Sequence, residues 1–231
     1  MTKLAVVINT TDKYASIWEG FWYHFSRNWT ANYPIYFLNE RKDVNFPVKQ
    51  IKVDIPEMSL WTKKLRESIK QIPEDDVLVW LEDLFLVKKF REGEFENIYR
   101  MFKRLNADAL RIRMNRDQFT KKRNTSFIVN GLRVKKLEQD SKYFVYHSVN
   151  IWKKSYLLEC LEVDETPWEN ERYGSIRMQN KKRHIYIIIK PGCWVNVCNK
   201  GKVVPGCENL LRQGIYNNDI PAIDTIYPGK Q

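Results

Sequence analysis

The chain has 231 residues, 43% of them hydrophobic, and a net charge of +11. That is enough apolar material for one full core, no linker-like shift divides it, and its longest apolar runs fall far short of a membrane span. We therefore expect a single domain, soluble or at most peripheral to a membrane. The excess charge draws polyanions, but its densest runs, Arg111 to Arg123 and Lys181-Lys182-Arg183, lack the interleaved aromatics of a strand-stacking platform, which argues against nucleic acid as the partner.

The N-terminus opens directly on an apolar strand, Leu4 to Ile8, with no leader segment or cleavage pattern, and the cytoplasm is the expected compartment. Strand and helix then alternate. Strand Leu4 to Asn9 is followed by a helix over Ser16 to Trp29, then strands Ile35 to Asn39 and Val48 to Asp54. A helix over Ser59 to Gln71 and strand Val77 to Glu82 come next. Ser59 stands where it can cap its helix, ahead of Leu60, Trp61, Leu65 and Ile69 at helical spacing. A helix over Glu94 to Leu105 leads to strand Ala109 to Met114, and the order of these elements predicts a parallel sheet covered by helices.

The second half changes character. Asn130-Gly131 between Ser126-Phe127-Ile128-Val129 and Leu132-Arg133-Val134 is a type I′ hairpin signal. After it we expect a short strand at Tyr143 to Tyr146 and a helix from Ser155 to Leu161. A helix start at Pro167 and a strand Ile185 to Ile189 follow, and from Pro191 the chain reads as irregular structure. Cys160, Cys193, Cys198 and Cys207 contain no Cys-x-x-Cys pair, so we expect packing thiols rather than a zinc site, with a disulfide among the last three left open.

Three segments carry candidate chemistry. Glu82-Asp83 closes the apolar run Val77-Leu78-Val79-Trp80-Leu81, and ligands bind beyond the carboxyl ends of strands in open α/β sheets. A carboxylate pair in an apolar frame calls for a cation or for donors. Hard divalent ions such as Mn²⁺ or Mg²⁺ suit it, with Asp83 as ligand and Glu82 as a second contact to a sugar or its metal shell; a loop cap is the plainer alternative. The turn Asn9-Thr10-Thr11-Asp12-Lys13-Tyr14 presents hydroxyls and backbone donors to a nucleotide, with Tyr14 placed to stack on a base; an N-cap by Thr11, Asp12 or Ser16 explains it equally well.

In Pro167-Trp168-Glu169-Asn170-Glu171, Trp168 offers a face to a pyranose, and Glu169 or Glu171 a base for an acceptor hydroxyl. A helix start is the competing explanation. Trp61 and Lys64 stand one helical turn apart, where Lys64 could reach a phosphate, although a core Trp with a surface Lys is the commoner pattern. His147 reads first as a structural histidine at the end of a strand.

Taken together, Val7 to Tyr14, Trp80 to Leu86, His147 to Lys154 and Pro167 to Glu171 resemble small single-domain glycosyltransferases of the GT-A fold, of bacteria and large DNA viruses including the chlorella-virus type. The resemblance implies a GT-A-like, Rossmann-like α/β domain over residues 1–231. Its central sheet would be mostly parallel and flanked by helices, with an antiparallel hairpin region in the second half. Residues 1–115 would bind the nucleotide sugar and 116–231 the acceptor. It implies a UDP- or dTDP-sugar donor, a glycan acceptor and Mn²⁺ or Mg²⁺. Asn9, Thr10, Thr11, Tyr14, Trp61, Lys64, Glu82 and Asp83 would lie on the donor side, and His147 and Trp168 on the acceptor side. Glu169 or Glu171 would be the base of a metal-assisted, inverting transfer. Glu82-Asp83 stands where the family carries Asp-x-Asp. A basic nucleic-acid-binding module and a metal-dependent nuclease are the competing readings.

Overall fold

The structure, a computed structural model, describes residues 4–113, 126–189, 193–199 and 201–213. Most of the Arg111 to Arg123 run, the expected strand end at Met114 and much of the segment from Pro191 onward lie outside these residues.

The first strand, β1 (Leu4–Asn9), is buried along its whole length. Side chains alternate across a strand, so Leu4, Val6 and Ile8 enter one core layer and Ala5 and Val7 the other. A strand buried on both faces needs cover on both. Helix α1 (Ala15–Asn28) covers the first face with Ile17, Trp18, Phe21 and Phe25. After β2 (Ile35–Asn39) and β3 (Lys49–Lys52), α2 (Trp61–Lys70) covers the second with Leu65 and Ile69.

Next come β4 (Asp76–Leu81), the short β5 (Leu84–Leu86), and α3 (Glu94–Arg104), which packs Phe95, Ile98, Met101 and Phe102 on the same face as α1. Then follow β6 (Ala109–Arg113), β7 (Ser126–Val129), β8 (Leu132–Lys136), β9 (Asn150–Lys153) and α4 (Lys154–Cys160). The described chain ends with α5 (Pro167–Glu169), α6 (Ser175–Gln179), β10 (Ile185–Ile189), β11 (Trp194–Asn196), β12 (Cys198–Asn199), β13 (Lys202–Val203) and α7 (Glu208–Arg212).

Among the described residues the main sheet has the order β3-β2-β1-β4-β9-β6-β10-β8-β7, and of these strands only β9 and β8 run against the others. The expected parallel sheet is therefore correct for its first four strands and mixed beyond them. Strand β9 inserts between β4 and β6, a pairing that no local pattern announces. The hairpin at Asn130-Gly131 forms as read, with φ of 51° and 75°. A small antiparallel pair, β5 with β11, brings the residues after β4 against the C-terminal part. Gly20 permits α7 to close over α1, since a Cβ there would stand 2.8 Å from the Leu211 carbonyl oxygen.

Four local expectations are corrected. The segment from Pro191 is not irregular throughout: its described residues include β11, β12, β13 and α7, and β11 pairs with β5. Ser59 caps nothing: Met58–Leu60 form a 3₁₀ turn and α2 begins at Trp61 with no side-chain cap. Tyr143 to Tyr146 is not a strand; there the Tyr143 and Phe144 carbonyls accept from the buried Arg111 guanidinium, each at 2.6 Å. His147 accordingly precedes β9 rather than ending a strand. All four cysteines are free buried thiols, and no described helix is long and apolar enough to cross a membrane.

Candidate active site

Strands β1 and β4 are parallel neighbours with Asn9 in register with Leu81, so the residues that follow them emerge at the same edge of the sheet. Asn9, Thr10, Thr11 and Tyr14 line one wall of a cavity of about 170 Å³; Glu82 and Asp83 line its floor. Met58 and Trp61, with His147, Trp168 and Glu171, close it from the other side. A larger adjoining cavity of about 770 Å³ shares Tyr14, Asp83, His147, Trp168 and Glu171 and adds Tyr146, Ser148, Asn196 and Asn199.

The wall after β1 is held rigidly. The Trp18 indole N–H donates to Thr10 Oγ1 at 2.7 Å, and the Thr10 N–H donates to the Leu38 carbonyl at 3.0 Å. Lys64 Nζ donates to the Thr10 carbonyl at 2.6 Å and pairs with Glu40 at 2.7 Å, both side chains being almost fully buried. Lys64 therefore does not extend to a ligand phosphate; it is a buried strut beneath the loop. Asp12 likewise faces away from nucleotide or cap duty. Its carboxylate accepts from the Asn39 side chain and from the backbone of Glu40, Arg41 and Lys42. Burial would push it up, but those donors prevail and hold it below the ordinary carboxylate range.

Glu82 and Asp83 form the turn between β4 and β5. The turn is closed by the Trp80 indole N–H on the Leu84 carbonyl at 2.6 Å and by the Val197 N–H on the Asp83 carbonyl at 2.8 Å. Both carboxyls are raised. Burial is the main cause for each, and the charge of Asp83 adds to it at Glu82, opposed there by Lys64 and the Thr10 hydroxyl.

Three oxygens of cavity-lining side chains, Asn9 Oδ1, Thr11 Oγ1 and Asp83 Oδ1, are buried without a hydrogen-bond partner. Unpaired buried polar atoms cost roughly 1–3 kcal/mol each, and three around one cavity mark a place built for an absent partner. No lysine or arginine is among the described lining residues. A diphosphate would thus meet no positive side chain there unless a cation came with it. Asp83 Oδ1 with neighbouring Glu82 suits a hard divalent ion, and no group of three or more metal-ligating side chains exists among the described residues. Mn²⁺ or Mg²⁺ would take its other ligands from diphosphate and water.

The opposite wall separates the two candidate bases. Glu169 is exposed and belongs to a capping box: its backbone N–H donates to Thr166 Oγ1, and its carboxylate accepts from Thr166. Glu171 lines both cavities from the π-helical turn Asn170–Gly174, a local geometry common at functional sites. Burial pushes its carboxyl up to about 7, against the His147 N–H and the Arg111 charge. His147 stacks edge to face on Trp61 with ring centroids 4.7 Å apart, and burial holds its imidazole down at about 4, so it is neutral at physiological pH. Trp168 is 58% exposed at the cavity mouth.

Sequence reasoning missed the support behind this wall. Asn170, Glu165 and Arg177 form a hydrogen-bonded chain leading to His147. Asn170 lies inside the Pro167 to Glu171 segment, but nothing in the spacing of Glu165 and Arg177 signals their pairing.

No protein-family model matches the chain, and no curated protein matches it. Among solved structures it is similar to S. aureus TarS 1–349 in complex with UDP-GlcNAc, with a TM-score of 0.58 and 10% identity over 87% of this chain and 60% of that one. It is also similar to 4-diphosphocytidyl-2C-methyl-D-erythritol synthase, with a TM-score of 0.53 and 13% identity over 93% and 98% of the two chains. A third similarity is to CMP:2-keto-3-deoxy-manno-octonic acid synthetase complexed with CTP, with a TM-score of 0.51 and 13% identity over 91% and 97%. This chain spans 60% of the length of that TarS fragment. Its fold is thus the GT-A-like, Rossmann-like α/β fold of a large mixed sheet flanked by helices, with small antiparallel additions.

Proposed function

We propose that the protein is a glycosyltransferase that moves a sugar from a UDP- or dTDP-type donor to a hydroxyl of a glycan acceptor. The observation that carries the reading is the set of orphaned oxygens on Asn9, Thr11 and Asp83 around a cavity at the carboxyl ends of β1 and β4. Asn9, Thr10 and Thr11 hold the nucleoside and Tyr14 stacks on its base. Asp83, with Glu82 as a second contact, would hold Mn²⁺ or Mg²⁺, which would supply positive charge to neutralise a departing diphosphate. Trp168 packs on the acceptor sugar, and Glu171 takes the proton of the attacking hydroxyl in a single, inverting displacement. In this reading residues 1–115 serve the donor and 116–231 the acceptor. The narrower likeness to small bacterial and viral enzymes belongs to the same proposal.

Nucleotidyl transfer from a nucleoside triphosphate suits the site less well, because a triphosphate asks for basic side chains and the described lining has none. The same acidity disfavours a nucleic-acid-binding module. A two-metal nuclease would want more converging carboxylates than the described residues bring together.

The test is calorimetric titration of UDP-, dTDP- and GDP-sugars with and without Mn²⁺, on the wild type and on Asp83→Ala. We expect metal-dependent binding of one donor that is lost in the variant. Binding of none of them, or equal binding by Asp83→Ala, overturns the reading.

A further inference from the structure

The polar chain behind His147 has a direction. Arg177 grips Glu165 with two hydrogen bonds, Nη1 to Oε1 and Nη2 to Oε2, each 2.7 Å. Burial pushes the Glu165 carboxyl up, but Arg177 and Asn170 outweigh it and hold it below the ordinary range, so it is an acceptor only. The Asn170 Nδ2 donates both to Glu165 Oε2 at 2.9 Å and to the Cys160 backbone carbonyl at 2.8 Å. Both partners can only accept, which fixes which end of the amide is nitrogen. Asn170 Oδ1 is thereby turned to His147 Nε2, 2.8 Å away, and an amide oxygen there requires that Nε2 carry the hydrogen. The neutral ring then has a bare Nδ1, which makes no hydrogen bond within the described residues, while the ring lines both cavities. Glu171, bound to the His147 backbone N–H, stands beside it, and the charge of Arg111 acts on the ring to disfavour its protonation.

We infer that Asn170 is a positioning residue that locks His147 in its Nε2–H form, so that Nδ1 accepts a hydrogen bond from the hydroxyl entering the site next to Glu171. The last clause rests on the transferase reading; the tautomer does not. A ring locked this way orients a hydroxyl without competing for its proton, leaving that to the carboxylate of Glu171.

Two measurements test it. Long-range ¹⁵N–¹H spectra of the three histidines, with the His147 signals identified by their loss in His147→Gln, read the tautomer directly. We expect the Nε2–H pattern with no titration between pH 5.5 and 8, as befits a ring held at about 4. An Nδ1–H ring, or a ring titrating near its ordinary value, overturns the inference. Asn170→Asp replaces the amide with a carboxylate, which should bring the His147 titration up into the measured range. Transfer should fall about tenfold at pH values where the ring is protonated, the worth of one hydrogen bond, and recover above them, with donor affinity unchanged. A loss equal at all pH values indicates a merely structural Asn170 and overturns the inference. Absence of donor binding in the wild type sinks the transferase reading instead and leaves the spectra to decide the tautomer; they need only the wild-type protein, whether or not Asn170→Asp folds.

Discussion

The carboxylate of Glu171 accepts the backbone N–H of His147 at 2.8 Å, tying the π-helical turn after α5 to the segment that enters β9. Burial raises Glu171 to about 7, near the pH at which a general base works best. Glu171→Gln should therefore lower kcat by about 10²- to 10⁴-fold with donor affinity preserved. In the wild type the acidic limb of kcat/KM should bend near pH 7, because only the ionised carboxylate accepts a proton. A limb near pH 4.5, or a variant retaining most activity, would remove Glu171 from the role.

Stability should depend on this carboxyl with the opposite slope. Glu171 has a folded pKa above its unfolded one, so its contribution is fully present below about pH 4.5 and is lost as pH rises through about 7. Comparing wild type with Glu171→Gln cancels the other titrating groups. The difference in unfolding free energy should swing against the wild type by about 3 kcal/mol across that window, since each tenfold difference in proton affinity between the folded and unfolded chain is worth about 1.4 kcal/mol. Urea denaturation at several pH values measures it, and a flat difference would contradict the buried placement of this carboxyl.

Glu169 is expected to behave as a cap. Glu169→Gln should leave turnover within a factor of a few and lower the thermal midpoint only slightly, since the capping box keeps Thr166 and loses one charge-assisted acceptor. Steady-state rates decide this point, and a loss matching that of Glu171→Gln would show that the exposed carboxylate reaches the acceptor.

Asp83 should trade stability for binding. Burial raises both its carboxyl and that of Glu82, so the metal-free protein loses stability as pH climbs from the ordinary carboxylate range through the raised folded values. Asp83→Asn should flatten that decline and raise the thermal midpoint of the metal-free protein at pH 8. Millimolar Mn²⁺ should stabilise the wild type and not the variant. A midpoint that drops in Asp83→Asn would mean that the carboxylate is a structural cap after all.

Lys64 and Glu40 test the strut beneath the loop after β1. Lys64→Met leaves the buried Glu40 without its counter-charge and frees the Thr10 carbonyl, so we expect a loss of about 3–5 kcal/mol in chemical denaturation. The double change Lys64→Met with Glu40→Leu should recover part of it. A single variant within about 1 kcal/mol of wild type, the range of exposed pairs, would show that the pair is solvated.

Local patterns announced themselves. The alternation in Leu4 to Asn9, the helical spacing in Trp61 to Ile69 and the Asn-Gly turn at 130–131 depend on residues a few positions apart. For the same reason the order of strands and helices in the first half, save the short β5, and the exit of Asn9 and Glu82-Asp83 at one sheet edge were legible. What required the tertiary structure was every relation between distant residues. The sequence left Glu169 and Glu171 equal; the capping box and the cavity separate them, because a one-residue or two-residue step around a helical turn decides which side chain faces inward. It offered Lys64 to a phosphate, whereas packing against Glu40, 24 residues away, buries it. The antiparallel insertion of β9, and the Arg177–Glu165–Asn170–His147 chain, leave no mark in local periodicity, since strand pairing and buried polar satisfaction are settled only when the whole core closes.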